Sequence, residues 1–241
     1  MEIIPVHIEK EIEISDDIFE IISQNFKLED SDILVIAQKI ISKQEGRIVD
    51  LSNVTPSLLA QGIASQYHKD PRIVELILSE SKRIVRMKNE IIIVQTNNGF
   101  VCANAGVDES NVKDGYATLL PIDSDISAQT IRKKIKENTN KDVAVIISDT
   151  FGRPFRMGQT NCAIGISGLN PILDYAGTMD SFGKRLRITE IAIADEFSAA
   201  AELVMGKTLN CPVVIIRDYS FKIEELGVDK LIRLEKEDLF R

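Results

Sequence analysis

The stretch VAVIISDTFGRPFRMGQTNCAIG, residues 143–165, decides the fold class because it joins an apolar run to a cluster of polar side chains. Its first residues are β-branched and apolar, which is typical of a strand buried on both faces. The polar residues that follow are Asp149, Thr150, Arg153 and Arg156. Because α/β folds commonly place ligand groups at the carboxyl ends of buried strands, the pattern predicts a strand that ends at a binding or catalytic site.

The chemistry of this predicted site depends on one carboxylate and two guanidinium groups. Asp149 would lie at the mouth of the strand, and Arg153 and Arg156 suit the forked binding of a carboxylate or a phosphate. The alternative is structural, with Asp149 capping the turn and pairing with one of the arginines. This segment alone does not distinguish the two interpretations.

Short apolar runs of strand type recur along the chain, each bounded by Gly, Asn, Asp or Pro. They read EIIPVHI, DILVIAQ, EIIIVQT, FVCAN, VAVIIS, CAIGIS, LRITEIAI and PVVIIRD. Several follow one another directly, as in residues 84–104, which favours hairpins over a strict alternation of strand and helix. The predicted fold class is therefore mixed α/β (α+β), with antiparallel-rich sheets and flanking helices.

Caps and periodicity predict five helices. Two of them begin at an oxygen-bearing N-cap that precedes a proline, at Thr55 and at Asp70. The other three cover residues 126–138, the alanine-rich residues 195–206 with a glycine at the C-cap, and residues 228–240. No repeat, low-complexity tract or Gly/Pro/Ser-rich linker divides the chain, so we expect a single domain over residues 1–241, built as two intertwined lobes.

Composition limits the classes of partner. The formal net charge of −8 and the lack of a basic tract argue against nucleic acid. The N-terminus lacks a leader pattern and no apolar stretch reaches about 20 residues, so we expect no membrane partner and a cytoplasmic location. Three separated cysteines without a C-x-x-C pair and only two histidines predict reduced core thiols and no histidine-based metal site. Any metal should then be a hard cation on oxygen ligands.

A second acid follows a strand in FVCANAGVDESNV, residues 100–112, where a turn leads to Asp108 and then Asn111. Asp108 and Asp149 together could hold one Mg²⁺ or Mn²⁺ ion against nucleotide phosphates. The structural alternative for this segment is an Asx-type turn.

A third strand, in ILVIAQKIISKQEGRI (residues 33–48), leads into Gln38, Lys39 and Lys43. Lysines after a buried strand suit phosphate binding. However, Lys39 and Lys43 are four residues apart, and from spacing alone we prefer the alternative that they form a solvated helix face.

One further motif is rejected. MGKT, which begins at Met205, resembles the end of a phosphate-binding loop, but Ala201 stands where that loop needs its first glycine. The segment also closes a predicted helix instead of opening one, so Gly206 is interpreted as a helix C-cap.

An ordered set of strings across nearly the whole chain resembles one family. These strings are ISKQEGR, NAGVDESN, IISDTFGRPFR, AIGISG, DYAGTMDSFGKRL and ITEIAIADEFSAAAELVMGK. They are similar to the F420 γ-glutamyl ligases, which attach L-glutamate to coenzyme F420-0. The resemblance implies a homodimer of intertwined subunits with a mixed α/β fold and a site in a cleft near the interface.

The reaction that the resemblance implies is GTP-dependent. A carboxylate of F420-0 would take the γ-phosphoryl group to give an acyl phosphate and GDP, and the amine of L-glutamate would then displace phosphate. Further rounds would add γ-linked glutamates. The implied cofactor is Mg²⁺ or Mn²⁺, with K⁺ as a further candidate and GTP as co-substrate.

The resemblance also assigns residues. Asp108 and Asp149 match ligands of one divalent cation, and Thr150 matches a position at a second cation. The predicted nucleotide-binding residues are Gln38, Lys39, Lys43, Asn111, Met205, Gly206 and Lys207. The predicted catalytic residues are Asp108, Asp149, Arg153 and Arg156, with the two arginines assigned on physical grounds only, as anchors for an anionic substrate.

Two departures from the family pattern bear on the site. Residues 8–12 read IEKEI where the family has a G-L-P-x-I contact segment. Lys207 stands where the family usually has Glu or Gln as a ligand of the second cation, and a protonated ammonium cannot ligate a metal. We hypothesise that Lys207 replaces the charge of that cation, the alternative being an exposed lysine after a helix.

Asp195 and Glu196, at the start of a predicted helix, are expected to act as caps.

Two other function classes stay open. A metal-dependent phosphohydrolase of a small phosphorylated metabolite would use the same carboxylates and release phosphate without an amino acid. A non-catalytic GTP-binding regulator would bind nucleotide without turnover. Glutamyl addition to F420-0, followed by mass spectrometry, distinguishes these classes from the ligase.

Overall fold

The computed structural model describes residues 1–238, which form a mixed α/β fold with one five-stranded sheet and three smaller sheets. The strands are β1 (Glu2–Val6), β2 (Ile33–Ala37), β3 (Ile48–Asp50), β4 (Ser81–Lys88), β5 (Ile91–Thr96), β6 (Val101–Ala103), β7 (Tyr116–Thr118), β8 (Ala144–Arg153), β9 (Arg156–Ser167), β10 (Leu173–Asp174), β11 (Glu190–Ile191) and β12 (Val213–Arg217). The helices are α1 (Ile18–Asn25), α2 (Gln38–Gln44), α3 (Leu58–Tyr67), α4 (Pro71–Ser79), α5 (Ser124–Thr139) and α6 (Ile193–Met205).

The five-stranded sheet has the order β1-β12-β2-β8-β9, and only its β2–β8 pair is parallel. Ile33, Leu34 and Ile36 of β2 and Ile146 and Ile147 of β8 are fully buried. Their burial on both faces is what the continuous apolar runs predict. The prediction of a mixed α/β fold with antiparallel-rich sheets is confirmed.

Helices α5 and α6 pack against this sheet through β9. Gly165 makes the approach of α5 feasible, because a Cβ atom at this position would lie 2.3 Å from the carbonyl oxygen of Ser124. The start of α5 therefore rests directly on the backbone of β9. No helix within residues 1–238 has the length and apolar character that crossing a membrane requires.

A second core lies apart from the first and forms the smaller lobe of the protein. It is built from α3, α4 and the sheets β4-β5-β6 and β3-β7, with Val74, Ile77, Ile92 and Val94 fully buried. The larger lobe contains the five-stranded sheet with α1, α5 and α6. Phe100, in the turn between β5 and β6, makes an edge-to-face contact with Phe151 of β8 and so connects the lobes.

Three helix predictions are confirmed and one is displaced. Helix α4 begins after its Asp70 N-cap, α5 covers the predicted 126–138, and α6 ends at its Gly206 C-cap. Helix α3 begins after Ser57 instead of Thr55, because the Ser57 hydroxyl accepts the hydrogen bond from the Ala60 N–H. The α1 helix, capped by Asp17, was not predicted.

The predicted helix over 228–240 is wrong as far as residue 238, and its last residues lie outside the described part of the chain. Only two short 3₁₀ turns occur, at Val228–Leu231 and Glu235–Glu237. Tertiary contacts compete with the helix, because the Val228 N–H donates to the carboxylate of Asp125. Farther along, Ile232 lies against Gly99, and Glu235 pairs with Arg83 of β4.

Two strand predictions also need correction. Strand β8 does not end at Asp149 but continues to Arg153 and turns directly into β9, because the two strands keep pairing as a hairpin. In the predicted strand LRITEIAI, only Glu190–Ile191 forms a strand, and helix α6 begins at Ile193. Leu186 and Thr189 make backbone hydrogen bonds to residues 175–178 outside regular strand structure.

Candidate active site

Polar residues from both lobes meet where the parallel strands β2 and β8 leave the core. Ala37, the last residue of β2, pairs with Ser148 of β8. The next residues, Gln38 and Asp149, therefore emerge at the same edge of the sheet. This is where ligands usually bind in sheets with parallel strands.

Lys39 connects the two lobes at this edge. Its Nζ donates to Asp108 Oδ2 at 2.6 Å, to Ser110 Oγ at 2.8 Å and to the Ser110 carbonyl oxygen at 3.0 Å. The Ser110 N–H and hydroxyl also donate to the Asp108 carboxylate. Burial alone would raise the pKa of Asp108, but these hydrogen bonds outweigh it and hold the pKa below its usual value.

Asp149 lies in a different environment from Asp108. Packing around its carboxyl raises its pKa to about 6, and the Asp108 charge adds to this, although the Thr150 N–H, Lys39 and Lys207 act in the opposite direction. No side chain within residues 1–238 donates a hydrogen bond to it. Asp149 is therefore a carboxylate with nearby positive charge that accepts from the Thr150 N–H but has no side-chain partner.

A chain of hydrogen bonds extends from the residue after Asp149. The Thr150 hydroxyl donates to Asn161 Oδ1 at 2.7 Å across the β8–β9 pair. It accepts from Lys207 Nζ at 2.8 Å, and the same ammonium lies 3.1 Å from Glu202 Oε1. Lys207 thus reaches the predicted site, although its side chain is 61% exposed.

The preferred interpretation of Lys39 and Lys43 as a solvated helix face is wrong. The two residues do lie on one helix, α2, but Lys43 is 7% exposed and pairs with the carboxylate of Glu11. Gln38, also buried, accepts a hydrogen bond from Ser42. Helix α2 packs against β2, β7 and β8, so its lysines line the junction of the lobes and do not face solvent.

The predicted arginines lie at the far end of the β8–β9 hairpin. Arg153 is four residues beyond Asp149, roughly 13 Å along an extended strand. Its Nη2 donates to the Met157 carbonyl oxygen at 2.7 Å, and Arg156 is exposed at the start of β9. The structure therefore does not bring Arg153 and Arg156 against Asp149 within one chain.

The remaining predicted residues differ in accessibility. Asn111 is exposed, in the turn that follows Ser110. Met205 is buried in the main core, where its side chain packs, and Gly206 ends α6. Neither of these two offers a polar side chain to a ligand.

Asp195 and Glu196 lie in the first turn of α6, at the positive end of the helix dipole as expected, but neither is its N-cap. The N-cap position of α6 is Ala192, which makes no side-chain cap, and Asp195 Oδ1 instead accepts from the Ala163 N–H at 2.9 Å. Burial raises the pKa of this carboxyl, which the Ala163 hydrogen bond opposes. Asp195 thus joins α6 to β9, and Glu196 is exposed in the first turn of the helix.

Comparison with known proteins identifies the family. The family model described as F420-0:Gamma-glutamyl ligase matches residues 8–218, which include both lobes. The chain belongs to the F420-0:gamma-glutamyl ligase family. The resemblance inferred from its sequence motifs is therefore confirmed.

Several relatives in this family are similar over most of their length. A protein of Methanothermobacter thermautotrophicus is 49% identical over 88% of this chain and 85% of its own. Proteins of Methanocaldococcus jannaschii and Methanopyrus kandleri are 47% and 43% identical, over 92% and 98% of this chain and 89% and 96% of their own. Each of the three is named coenzyme F420:L-glutamate ligase.

The divalent cation that the family resemblance implies fits the residues at the junction. Asp108, Asp149 and Thr150 offer only oxygen atoms, which hard cations prefer. Asp149 in particular has no side-chain partner within residues 1–238, so its carboxylate keeps lone pairs that a cation can use. Mg²⁺ and Mn²⁺ need only one or two protein carboxylates, which Asp108 and Asp149 would supply. Among residues 1–238 no group of three or more His, Cys, Asp or Glu side chains could hold a metal.

Three polar residues in this region of the F420-0:gamma-glutamyl ligase fold were not predicted as site residues. Ser110 binds Lys39 and Asp108, Asn161 binds Thr150, and Glu202 binds Lys207. Ser110 follows Asp108 by two residues, so an Asx-type turn could have indicated it. Asn161 and Glu202 come close to the site only through the hairpin register and the position of α6, which the sequence pattern does not reveal.

Proposed function

We propose that this chain is a GTP-dependent ligase that adds L-glutamate to coenzyme F420-0 and then adds further γ-linked glutamates. The names of its relatives support the substrates F420 and L-glutamate. The observation that supports the chemistry is the junction where Lys39 binds Asp108 near Asp149, whose carboxylate has no side-chain partner. Two carboxylates with adjacent ammonium groups are what binding of a cation and a triphosphate requires.

The proposed reaction has two steps. A carboxylate oxygen of the lactyl arm of F420-0 attacks the γ-phosphorus of GTP, the bond to the β-phosphate oxygen breaks, and GDP leaves. The amine nitrogen of L-glutamate then forms a bond to the acyl-phosphate carbon while phosphate leaves, and the nitrogen loses a proton. One amide bond forms for each GTP consumed.

The protein's contribution to phosphoryl transfer is positioning and charge. A Mg²⁺ or Mn²⁺ ion held by Asp108 and Asp149 would neutralise charge on the phosphoryl oxygens. Lys39 exchanges part of its contact with Asp108 for a phosphate oxygen. Lys43, buried and paired with Glu11, supplies a second positive charge from the same helix. Gln38 and Asn111 are proposed as further nucleotide contacts, and K⁺ stays a candidate activator.

We also propose that the enzyme is a cytoplasmic homodimer. Two projecting segments carry exposed apolar side chains, with Met157 on the β8–β9 hairpin and Phe182 and Ile188 between β10 and β11. Their exposed fractions of 95%, 88% and 90% support an association with a second copy. In a dimer, Arg153 and Arg156 of the hairpin would be able to bind the anionic substrates at the partner's site.

The test is to incubate the protein with GTP, Mn²⁺, L-glutamate and F420-0 and to measure glutamyl additions by mass spectrometry. We expect one or more additions in the wild type and a loss of at least 100-fold in Asp149→Asn, because the cation ligand is removed. Asp114→Asn, at an exposed aspartate, is the matched control and should keep full activity.

The other outcomes separate the alternatives. Phosphate release that needs neither L-glutamate nor F420-0 would indicate the phosphohydrolase. Binding of GTP without turnover of any of these substrates would indicate a regulator.

A further inference from the structure

Lys207 occupies a small set of oxygen donors at the end of α6. Its Nζ lies 2.8 Å from Thr150 Oγ1 and 3.1 Å from Glu202 Oε1. The second carboxylate oxygen of Glu202, Oε2, is buried and has no hydrogen-bond partner. Thr150 is itself fixed by its hydrogen bond to Asn161. We refer to Thr150, Asn161 and Glu202 as the oxygen pocket.

The donors of the oxygen pocket are those that a hard cation uses. Carboxylate and hydroxyl oxygens can bind Mg²⁺, Mn²⁺ or an ammonium group. Of these, the ammonium of Lys207 is covalently part of the chain. An unpartnered, buried carboxylate oxygen is costly, and a cation that fits more closely than Nζ would satisfy it. The pocket therefore has unused capacity for positive charge.

The backbone brings Lys207 to the pocket. Gly206 has a φ of 56°, which glycine adopts without strain, and this turn reverses the chain after the last turn of α6. The Lys207 side chain can then point back toward Glu202, five residues earlier, and toward Thr150 of β8. The ammonium is also near enough to Asp149 for its charge to act on that carboxyl, so it lies near the proposed cation and triphosphate site.

We propose that Lys207 is a tethered cation that fills the oxygen pocket, so that each chain binds one divalent ion, at Asp108 and Asp149, and not two. Glu202 is the positioning residue that holds the ammonium toward the triphosphate. The part of this inference that concerns the triphosphate rests on the proposed function. The part that concerns the pocket does not.

The experiment counts Mn²⁺ ions by titrating the full chain without nucleotide, following free Mn²⁺ by electron paramagnetic resonance. We expect one ion in the wild type and one more in Lys207→Ala, whose shortened side chain opens the pocket. Adding Glu202→Gln to Lys207→Ala should remove the extra ion. Lys133→Ala, at an exposed lysine of α5, should bind as the wild type does.

The difference between Lys207→Ala and the wild type decides the proposal. A difference of one ion supports it, whereas equal counts overturn it. If the wild type binds none and the variant binds one, the oxygen pocket is supported and the Asp108–Asp149 site of the proposed function fails. Because the Lys207 side chain is largely exposed, Lys207→Ala is expected to fold as the wild type does. An unchanged melting temperature checks this, and Lys207→Gln should give the same ion count as Lys207→Ala.

A second readout addresses the triphosphate. Without divalent ions, Lys207→Ala should bind GTP about tenfold more weakly than the wild type, because one charge-assisted contact is lost. Mn²⁺ should restore its affinity to the wild-type value by filling the pocket. A loss that Mn²⁺ does not reduce would contradict the replacement of one cation by the other.

Discussion

The raised pKa of Asp149 predicts how the stability of the metal-free protein depends on pH. The folded-state pKa of about 6 is above that of a free aspartate, about 3.9, so the folded chain binds this proton more tightly than the unfolded chain. The wild type therefore loses stability as the pH rises from about 4 through 6. Asp149→Asn, which stays neutral, should equal the wild type near pH 4 and be more stable by about 1–2 kcal/mol at pH 7.

Urea unfolding of both proteins in EDTA, at pH values between 4 and 7, measures this difference. Asp114→Asn, at an exposed carboxyl, is the matched control. A constant difference between Asp149→Asn and the wild type across this range would show that Asp149 does not titrate there.

Lys39 is the residue whose loss should affect nucleotide binding most directly. Lys39→Met removes the ammonium that binds Asp108 and Ser110, so we expect the GTP dissociation constant to rise at least tenfold. The pKa of Asp108 should also rise, since a hydrogen bond that lowers it is gone. Calorimetric titration checks the first effect, with Lys133→Met as the control, because Lys133 is an exposed lysine of α5. Equal affinity in both variants would exclude Lys39 from the nucleotide site.

The acidic residues of the candidate site were easier to predict from the sequence than the residues that contact them. The positions of Asp108 and Asp149 at the junction of the lobes could be predicted because each comes soon after an apolar run in the sequence. The contact of Lys39 with Asp108 joins residues from different lobes, and no local pattern encodes it. Spacing alone even favoured a solvated position for Lys43, whose burial depends on how α2 packs.

Gly165 allows the close approach of α5 to β9, so a larger residue there should destabilise the fold. A methyl group there would lie 2.3 Å from the Ser124 carbonyl oxygen, so Gly165→Ala must push α5 away from β9. We expect a loss of about 3 kcal/mol in the free energy of unfolding. Gly62→Ala, in α3 with nothing within 4 Å of the new atom, should instead stabilise by about 0.5–1 kcal/mol.

Thermal or urea unfolding compares the two glycine variants. We expect the two changes in the free energy of unfolding to have opposite signs, because only the Cβ atom added at Gly165 would meet the backbone of another element. A neutral Gly165→Ala would mean that α5 does not approach β9 as closely as the structure has it.

Elements with local signals were predictable, and those fixed by distant contacts were not. Helix α4 carries its own start signals, the Asp70 N-cap and the proline that follows it, and α6 ends at a glycine. The segment after Val228 has helix-forming residues, yet Asp125, on α5, binds its backbone and holds it in another conformation. The length of β8 likewise depends on its hairpin partner β9 and not on its own apolar run.

The exposed apolar segments predict that two copies of the chain associate. Replacing Phe182 and Ile188 with serine removes two side chains that are about nine-tenths exposed in the single chain. Analytical ultracentrifugation should show a dimer for the wild type and a monomer for this double variant. Leu58→Ser, at an equally exposed apolar side chain of α3, should leave the dimer intact. A monomeric wild type would remove the basis for the proposed homodimer.

The fold class could be predicted because hairpin-like successions of strands are visible in the sequence. Two lobes were also expected, but which segments form each core could not be predicted, since both cores use the same β-branched residues and no linker separates them. The location of the site at their junction follows from the pairing of β2 with β8 and from the Phe100–Phe151 contact, both of which join distant parts of the chain.

The position of β12 has a consequence for biosynthesis. This strand, Val213–Arg217, lies between β1 and β2, so its neighbours were translated about 180 residues earlier or more. Until it emerges from the ribosome, β2 presents an open, highly apolar edge that other chains can pair with. Nascent or truncated chains that stop before β12 should therefore be prone to aggregate, and productive folding of the larger lobe has to wait for nearly the whole polypeptide.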